Sequence, residues 1–270
     1  MSNPVAVTTR SANLWVALFG GAVIGTLGGL IGLGGAEFRL PLLIGFFGFV
    51  ALEAVILNKA TSLVVVASAL IFRSQVVPIG AVLEHWPIVA NLLAGSLLGA
   101  WVGADFATRL KSQNLYRVIA VLLVGIAVVL LLAHDPSAPP RPMLAGAQQV
   151  VAGVVAGFAI GLVASLLGVA GGELLIPTLV LLFGAEIKLA GSLSLAVSLP
   201  TMIVGFARYS RDQSFSALGR HRNFVLIMAV GSMAGAYLGG LLLGIVPGAV
   251  LLPLLALILV VSAVKVWQHR

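Results

Sequence analysis

Long apolar runs fill this chain, and polar residues fall between them in short clusters. Ten runs can be read, at roughly 13–33, 40–50, 54–72, 86–108, 115–133, 144–168, 174–184, 189–207, 223–244 and 247–266. An α-helix needs about 20 apolar residues to cross a bilayer. Eight of the runs have that length. The runs at 40–50 and 174–184 are much shorter, and each directly follows a glycine-rich phrase. The pattern therefore predicts a helix, a break, and a short second arm, and it predicts this twice.

The two phrases are "GLIGLGGAEFRLP", Gly29 to Pro41, and "SLLGVAGGELLIP", Ser165 to Pro177. A shift of 136 residues lays Gly32, Gly35, Glu37, Pro41, Phe47 and Gly48 on Gly168, Gly171, Glu173, Pro177, Phe183 and Gly184. The same shift lays "GSLLGAWVG" at 95–103 on "GSMAGAYLG" at 231–239. Two separated anchors with one offset indicate an internal duplication. The polar, proline-rich stretch "HDPSAPPRP" at 134–142 then links a first membrane repeat, 1–133, to a second, 143–270.

Composition fixes the solvent. The chain has 270 residues, 60% hydrophobic and 9% charged, whereas soluble domains carry about 25% charged residues. The expectation is an all-α polytopic membrane protein of about ten helical segments. The charge of +7 does not indicate nucleic-acid binding, because the basic residues stand singly between apolar runs. With ten segments and a cytoplasmic N-terminus, eleven Lys and Arg fall inside; only Arg39, Arg73, Arg141 and Lys188 fall outside. That bias orients the chain with both termini cytoplasmic. A re-entrant pair in place of segments one and two would keep every later loop on its side. Each half crosses an odd number of times either way, so the repeats are expected to be inverted. Inverted repeats with interrupted short helices are a pointer to a transport site near the bilayer midplane.

The chain has no cysteine, its four histidines (His85, His134, His221 and His269) sit in loops or at the terminus, and it has no G-x-x-x-x-G-K-[ST] phosphate loop. These features argue against an enzyme, a bound metal or a cofactor. The candidate chemistry lies in the phrases and in the helices after them. Gly34, Gly35, Gly171 and Gly172 would open new helix N-termini, which attract anions. Pro41 is expected in the first turn of the new helix, where no N–H is needed. Glu37 and Glu173 either cap the broken helices or carry a coupling proton, since an intramembrane carboxylate is costly. Arg39 faces Glu37 or the outer surface; Leu175 replaces it in the second half. Asn58, Lys59, Thr61 and Ser62 in the third segment, and Ser192, Ser194 and Ser198 in its counterpart, are candidates to line the site. Lys59 either counters an anionic substrate or extends to the headgroups. The glycines at 95, 99, 103, 231, 235 and 239 are read as helix-packing positions.

The paired phrases "GLGGAEFRLP" and "GVAGGELLIP", each followed by a short apolar segment, resemble the repeated signature of the sulfite exporter TauE/SafE family of membrane transporters. The resemblance extends over essentially the whole chain. Ala36 and Ala170 stand where the family's run is often glycine. The resemblance implies a secondary transporter of small sulfur-containing anions, such as sulfite, sulfonates or related organosulfur acids, in a bacterial inner membrane. It leaves direction and substrate open. An anion channel of the same fold is the competing reading, and the protein would act as a monomer or homodimer.

Overall fold

The computed structural model describes residues 14–31, 35–74, 77–132 and 142–242, with scattered positions between 257 and 268. The expected site residue Gly34, nearly all of the linker and most of the tenth run lie outside the described residues. Eleven α-helices and one 3₁₀ turn make up the described secondary structure: α1 Leu14–Ile31, α2 Ala36–Gly45, α3 Ala51–Arg73, α4 Ile79–Glu84, α5 Trp86–Arg109, α6 Ser112–Leu132, α7 Gly146–Leu167, α8 Gly172–Phe183, α9 Ile187–Tyr209, α10 Ser216–Arg220 and α11 Arg222–Leu242, with the 3₁₀ turn at Gln213–Phe215. No strand occurs among the described residues. Four described stretches are long and apolar enough to cross a membrane: Ala51–Ile71, Trp86–Arg109, Gly146–Leu167 and Lys188–Tyr209.

The short arms do not cross. A helix rises about 1.5 Å per residue, so the 10 residues of α2 and the 12 of α8 reach roughly half of a hydrocarbon core about 30 Å thick. Each folds back on the helix before it. A Cβ at Gly35 would lie 2.5 Å from the Ile24 carbonyl oxygen, and one at Gly20 would lie 3.1 Å from Leu42 Cδ2. In the second half Gly171 lies against Ile160, and the Gln149 amide donates to the Leu182 carbonyl at 2.8 Å. Both pairs are re-entrant hairpins.

Helix directions follow from the close contacts. Gly231 and Gly235 of α11 press on the carbonyls of Leu18 and Ala22, so α1 and α11 run parallel. Gly95 and Gly99 of α5 press on the carbonyls of Val154 and Phe158, so α5 and α7 also run parallel. The 136-residue shift converts one contact set into the other. The first helix of each half thus packs on the glycine-striped helix of the opposite half. By contrast, α3 and its counterpart α9 are antiparallel: Lys59 stands near Tyr209 at one end, and Arg73 near Ser192 at the other. Two equivalent helices related by reversal are the mark of an inverted repeat.

This frame gathers the α5–α6 and α9–α11 junctions, with Arg109, Lys111, Arg208, Arg211, Arg220 and Arg222, on one side, the basic face. Ion pairs join the halves there, Arg208 to Asp105 and Arg220 to Glu53. Arg211 stacks on Trp101, with 5.1 Å between the guanidinium carbon and the ring centroid. An aromatic cluster of Phe47, Phe49 and Phe224 closes the turn after α2.

Candidate functional site

Each break turns on a left-handed glycine. Gly35 (φ 69°) caps α2 and Gly171 (φ 82°) caps α8, a conformation that costs other residues about 1–2 kcal/mol. Glu37 and Glu173 are the second residues of the new helices, and both are at most 1% exposed. Neither caps through a hydrogen bond: no carboxylate oxygen of either residue has a partner among the described residues.

The prolines do not sit where first-turn placement would put them. The helices start at Ala36 and Gly172, immediately after the glycine caps, so Pro41 and Pro177 are the sixth residue of each. A proline there supplies no N–H to the carbonyl four residues back. That carbonyl belongs to Glu37 in one half and to Glu173 in the other.

Asn58 of α3 is the cross-brace. Its Nδ2 donates to the carbonyls of Ala36 at 2.9 Å and Leu167 at 3.2 Å, the first residue of α2 and the last of α7. Its Oδ1 accepts from Arg39 Nη1 at 3.3 Å. Arg39 is not at the outer surface; it is fully buried. It donates to Ser62 Oγ at 2.9 Å and to Ser232 Oγ on α11 at 3.1 Å. Ser232 lies one offset from Ser96, whose hydroxyl pairs with Thr201 at 2.7 Å.

Lys59 does not extend to the headgroups. It is fully buried, donates to Ser165 Oγ at 3.1 Å, and lies 5.9 Å from the Tyr209 ring centroid. Tyr209 donates its hydroxyl to the Ser165 carbonyl at 2.8 Å. The ion pairs of the described residues are all elsewhere, so no described carboxylate comes within 4.0 Å of this ammonium. A buried cation whose described partners are all neutral is costly to keep charged.

The remaining candidates divide. Ser198 is buried with an unpartnered hydroxyl. Thr61 and Ser194 bond back to the carbonyls of Leu57 and Gly191, the ordinary use of a hydroxyl within a helix. Ser192 accepts from Arg73 at 3.3 Å, toward the face opposite the basic one. Gly172 is the buried first residue of α8. Sequence reasoning placed Arg39 but not its partners, and it passed over Ser165, Tyr209 and Ser232. Ser165 opens the second quoted phrase and Ser232 lies in the repeated "GSxxGA" segment, so both signals were present.

A family model, "Sulfite exporter TauE/SafE", matches residues 17–266. The chain belongs to the sulfite exporter TauE/SafE family. No curated protein and no solved structure matched it. The matched range includes both breaks, both glutamates, Arg39 and Lys59, so every group just described lies inside the region that defines TauE/SafE membership. The family is one of transporters, in keeping with the membrane-length helices and the paired re-entrant hairpins.

Proposed function

We propose that this chain is a secondary transporter of small sulfur-containing anions, sulfite or organosulfonates, working by alternating access between its inverted halves. The observation that carries the reading is Lys59, buried without a described carboxylate beside it and held between α3 of one half and Ser165 and Tyr209 of the other. Ser165 is the hydroxyl that would share a sulfur oxyanion with it. Glu37 and Glu173 put a carboxyl group in the first turn of α2 and of α8, so the anion is assigned to the ammonium and not to the helix ends. The excess of Lys and Arg on the basic face supports a cytoplasmic orientation for it and for both termini, and the family supports a bacterial inner membrane. The burial of all these groups supports an occluded carrier over an open channel.

The test is counterflow in proteoliposomes. Preloading with unlabelled sulfite should accelerate entry of labelled sulfite, and Lys59→Gln should abolish the effect. Entry that ignores preloading would identify a pore. Sulfite, sulfoacetate, taurine and isethionate compared in the same assay would set the substrate class.

A further inference from the structure

A glycine closes the Lys59 site. Lys59, Ser165 and Tyr209 are each 0% exposed, so, as packed, nothing even of water size touches the ammonium. A Cβ at Gly205 of α9 would lie 2.6 Å from Ser165 Oγ, 2.9 Å from Lys59 Nζ and 3.1 Å from Lys59 Cε. The α9 backbone therefore rests directly on the ammonium and on its serine, and only a residue without a side chain permits that. An anion can meet Lys59 only when a neighbouring helix moves away.

Of the three helices around the ammonium, α9 is the one built to part. Helix α3 is held to the end of α7 through backbone. A Cβ at Gly168 would lie 2.3 Å from the Val55 carbonyl oxygen, and Asn58 donates to the Leu167 carbonyl at 3.2 Å. Helix α9 meets the pair through side-chain ends: Lys59 Nζ and Ser165 Oγ under Gly205, and the Tyr209 hydroxyl, which donates to the Ser165 carbonyl at 2.8 Å. Pro200 lies inside α9. It offers no N–H to the Ala196 carbonyl, which weakens the helix five residues before Gly205. Thr201, beside it, is pinned to Ser96 of α5 at 2.7 Å. A gap in the hydrogen-bond ladder next to a fixed point is a hinge, and residues 202–209 are its arm.

The repeat supplies an internal comparison. One offset away, Leu195 stands for Lys59, Ala69 for Gly205 and Val64 for Pro200. Leu195 and Ala69 lie in one apolar cluster with Val66 and Met202. The half that lacks the lysine at this place lacks the glycine and the proline as well.

We propose that Gly205 is a positioning residue of the Lys59 site: it lets the arm of α9 beyond Pro200 close on the ammonium, and the arm must lift for an anion to bind there. The part concerning the anion rests on the transporter reading. Arm and anion compete for one ammonium, so apparent affinity is lowered by the fraction of molecules that are closed.

Gly205→Ala tests this. It should fold, because the atoms in the way are the ends of flexible side chains. The purified full chain in nanodiscs is treated with a small amine-acylating reagent, and acylation of each lysine is read by peptide mass spectrometry. Lys59 should be acylated several-fold faster in Gly205→Ala than in wild type, with the exposed Lys111 and Lys188 as unchanged references. Ala69→Gly, at the mirror position, should leave the Lys59 rate alone. Pro200→Ala restores the missing N–H, stiffens the hinge and should slow Lys59 acylation; it keeps the test open if a methyl at 205 unfolds the chain. Isethionate binding by calorimetry should tighten several-fold in Gly205→Ala, the opposite of what a damaged or filled site would do. A wild-type Lys59 rate in folded Gly205→Ala, an unchanged rate in Pro200→Ala, or weaker isethionate binding at an unchanged melting temperature overturns the proposal. If acylation responds as stated while neither isethionate nor sulfite binds either protein, the transporter reading falls and the closure stands. Binding to wild type with no response of the acylation rate does the reverse.

Discussion

The Asn58 side chain donates to the Leu167 carbonyl at 3.2 Å, and through this contact the first half of the chain holds the end of a helix in the second. The same amide nitrogen holds the Ala36 carbonyl at 2.9 Å. One side chain thus fixes the spacing of the two breaks. Asn58→Asp keeps the shape and removes both donors. Each buried carbonyl left unpaired costs about 1–3 kcal/mol, so the variant should unfold at clearly lower temperature in detergent, by more than Asn58→Ser. Equal stability of Asn58→Asp and wild type would show that the brace does not matter.

Lys59 gives a prediction with opposite signs for stability and function. A buried charge is expensive, and replacing it by an apolar side chain of similar length is often neutral or stabilising. Lys59→Met should therefore melt at or above the wild-type temperature while sulfite binding falls more than tenfold, a loss of about 1.4 kcal/mol or more. Binding by calorimetry and melting by intrinsic fluorescence separate the two effects. Coincident losses of both would mean that Lys59 is structural.

The duplication, the membrane class and the break–arm pattern were legible in the sequence, because helix length and the 136-residue offset are properties of the chain itself. The glycine stripes were legible too, since spacing of four puts Gly95, Gly99 and Gly103 on one face. The geometry at the breaks was not. Pro41 looked like a helix start because proline suits that place, but Gly35 in a left-handed conformation already begins the helix five residues earlier. Arg39 looked asymmetric, and its place, beside Glu37 or at the outer surface, stayed open. Its depth depends on Ser62 and Ser232, from two helices distant in sequence, and no local pattern encodes that meeting.

The pair Asp105–Arg208 ties α5 of one half to α9 of the other on the basic face. Both side chains are partly exposed, so the pair contributes only about 0.2–1 kcal/mol. That is enough to shift a nearly even equilibrium between closed and open forms several-fold without unfolding either. Asp105→Asn should raise access to the site from that face. The chain has no cysteine, so a single Ser165→Cys reports directly. A thiol reagent applied from the basic face should label it several-fold faster when Asp105→Asn is also present. Labelling at an unchanged rate would remove the pair as a closure on that side.

The last prediction concerns the exchanged helix pairs. A Cβ at Gly99 would lie 2.0 Å from the Phe158 carbonyl oxygen, and a Cβ at Gly235 would lie 2.0 Å from that of Ala22. Backbone, and not a movable side chain, occupies the space in both cases. Close backbone approach is what small residues provide in lipid, where helices gain no hydrophobic drive from meeting. Gly99→Val and Gly235→Val must each push two helices apart, and overpacking of this kind costs about 1–3 kcal/mol, occasionally more. Gly125 and Gly219 have open space where a Cβ would go, so Gly125→Ala is the control and should leave yield and melting temperature unchanged. Because the two contacts are related by the repeat and involve different helices, the double variant Gly99→Val/Gly235→Val should lose the sum of the single effects. Melting in detergent checks this. A single variant as stable as wild type would show that the interface has room which the glycine contacts deny.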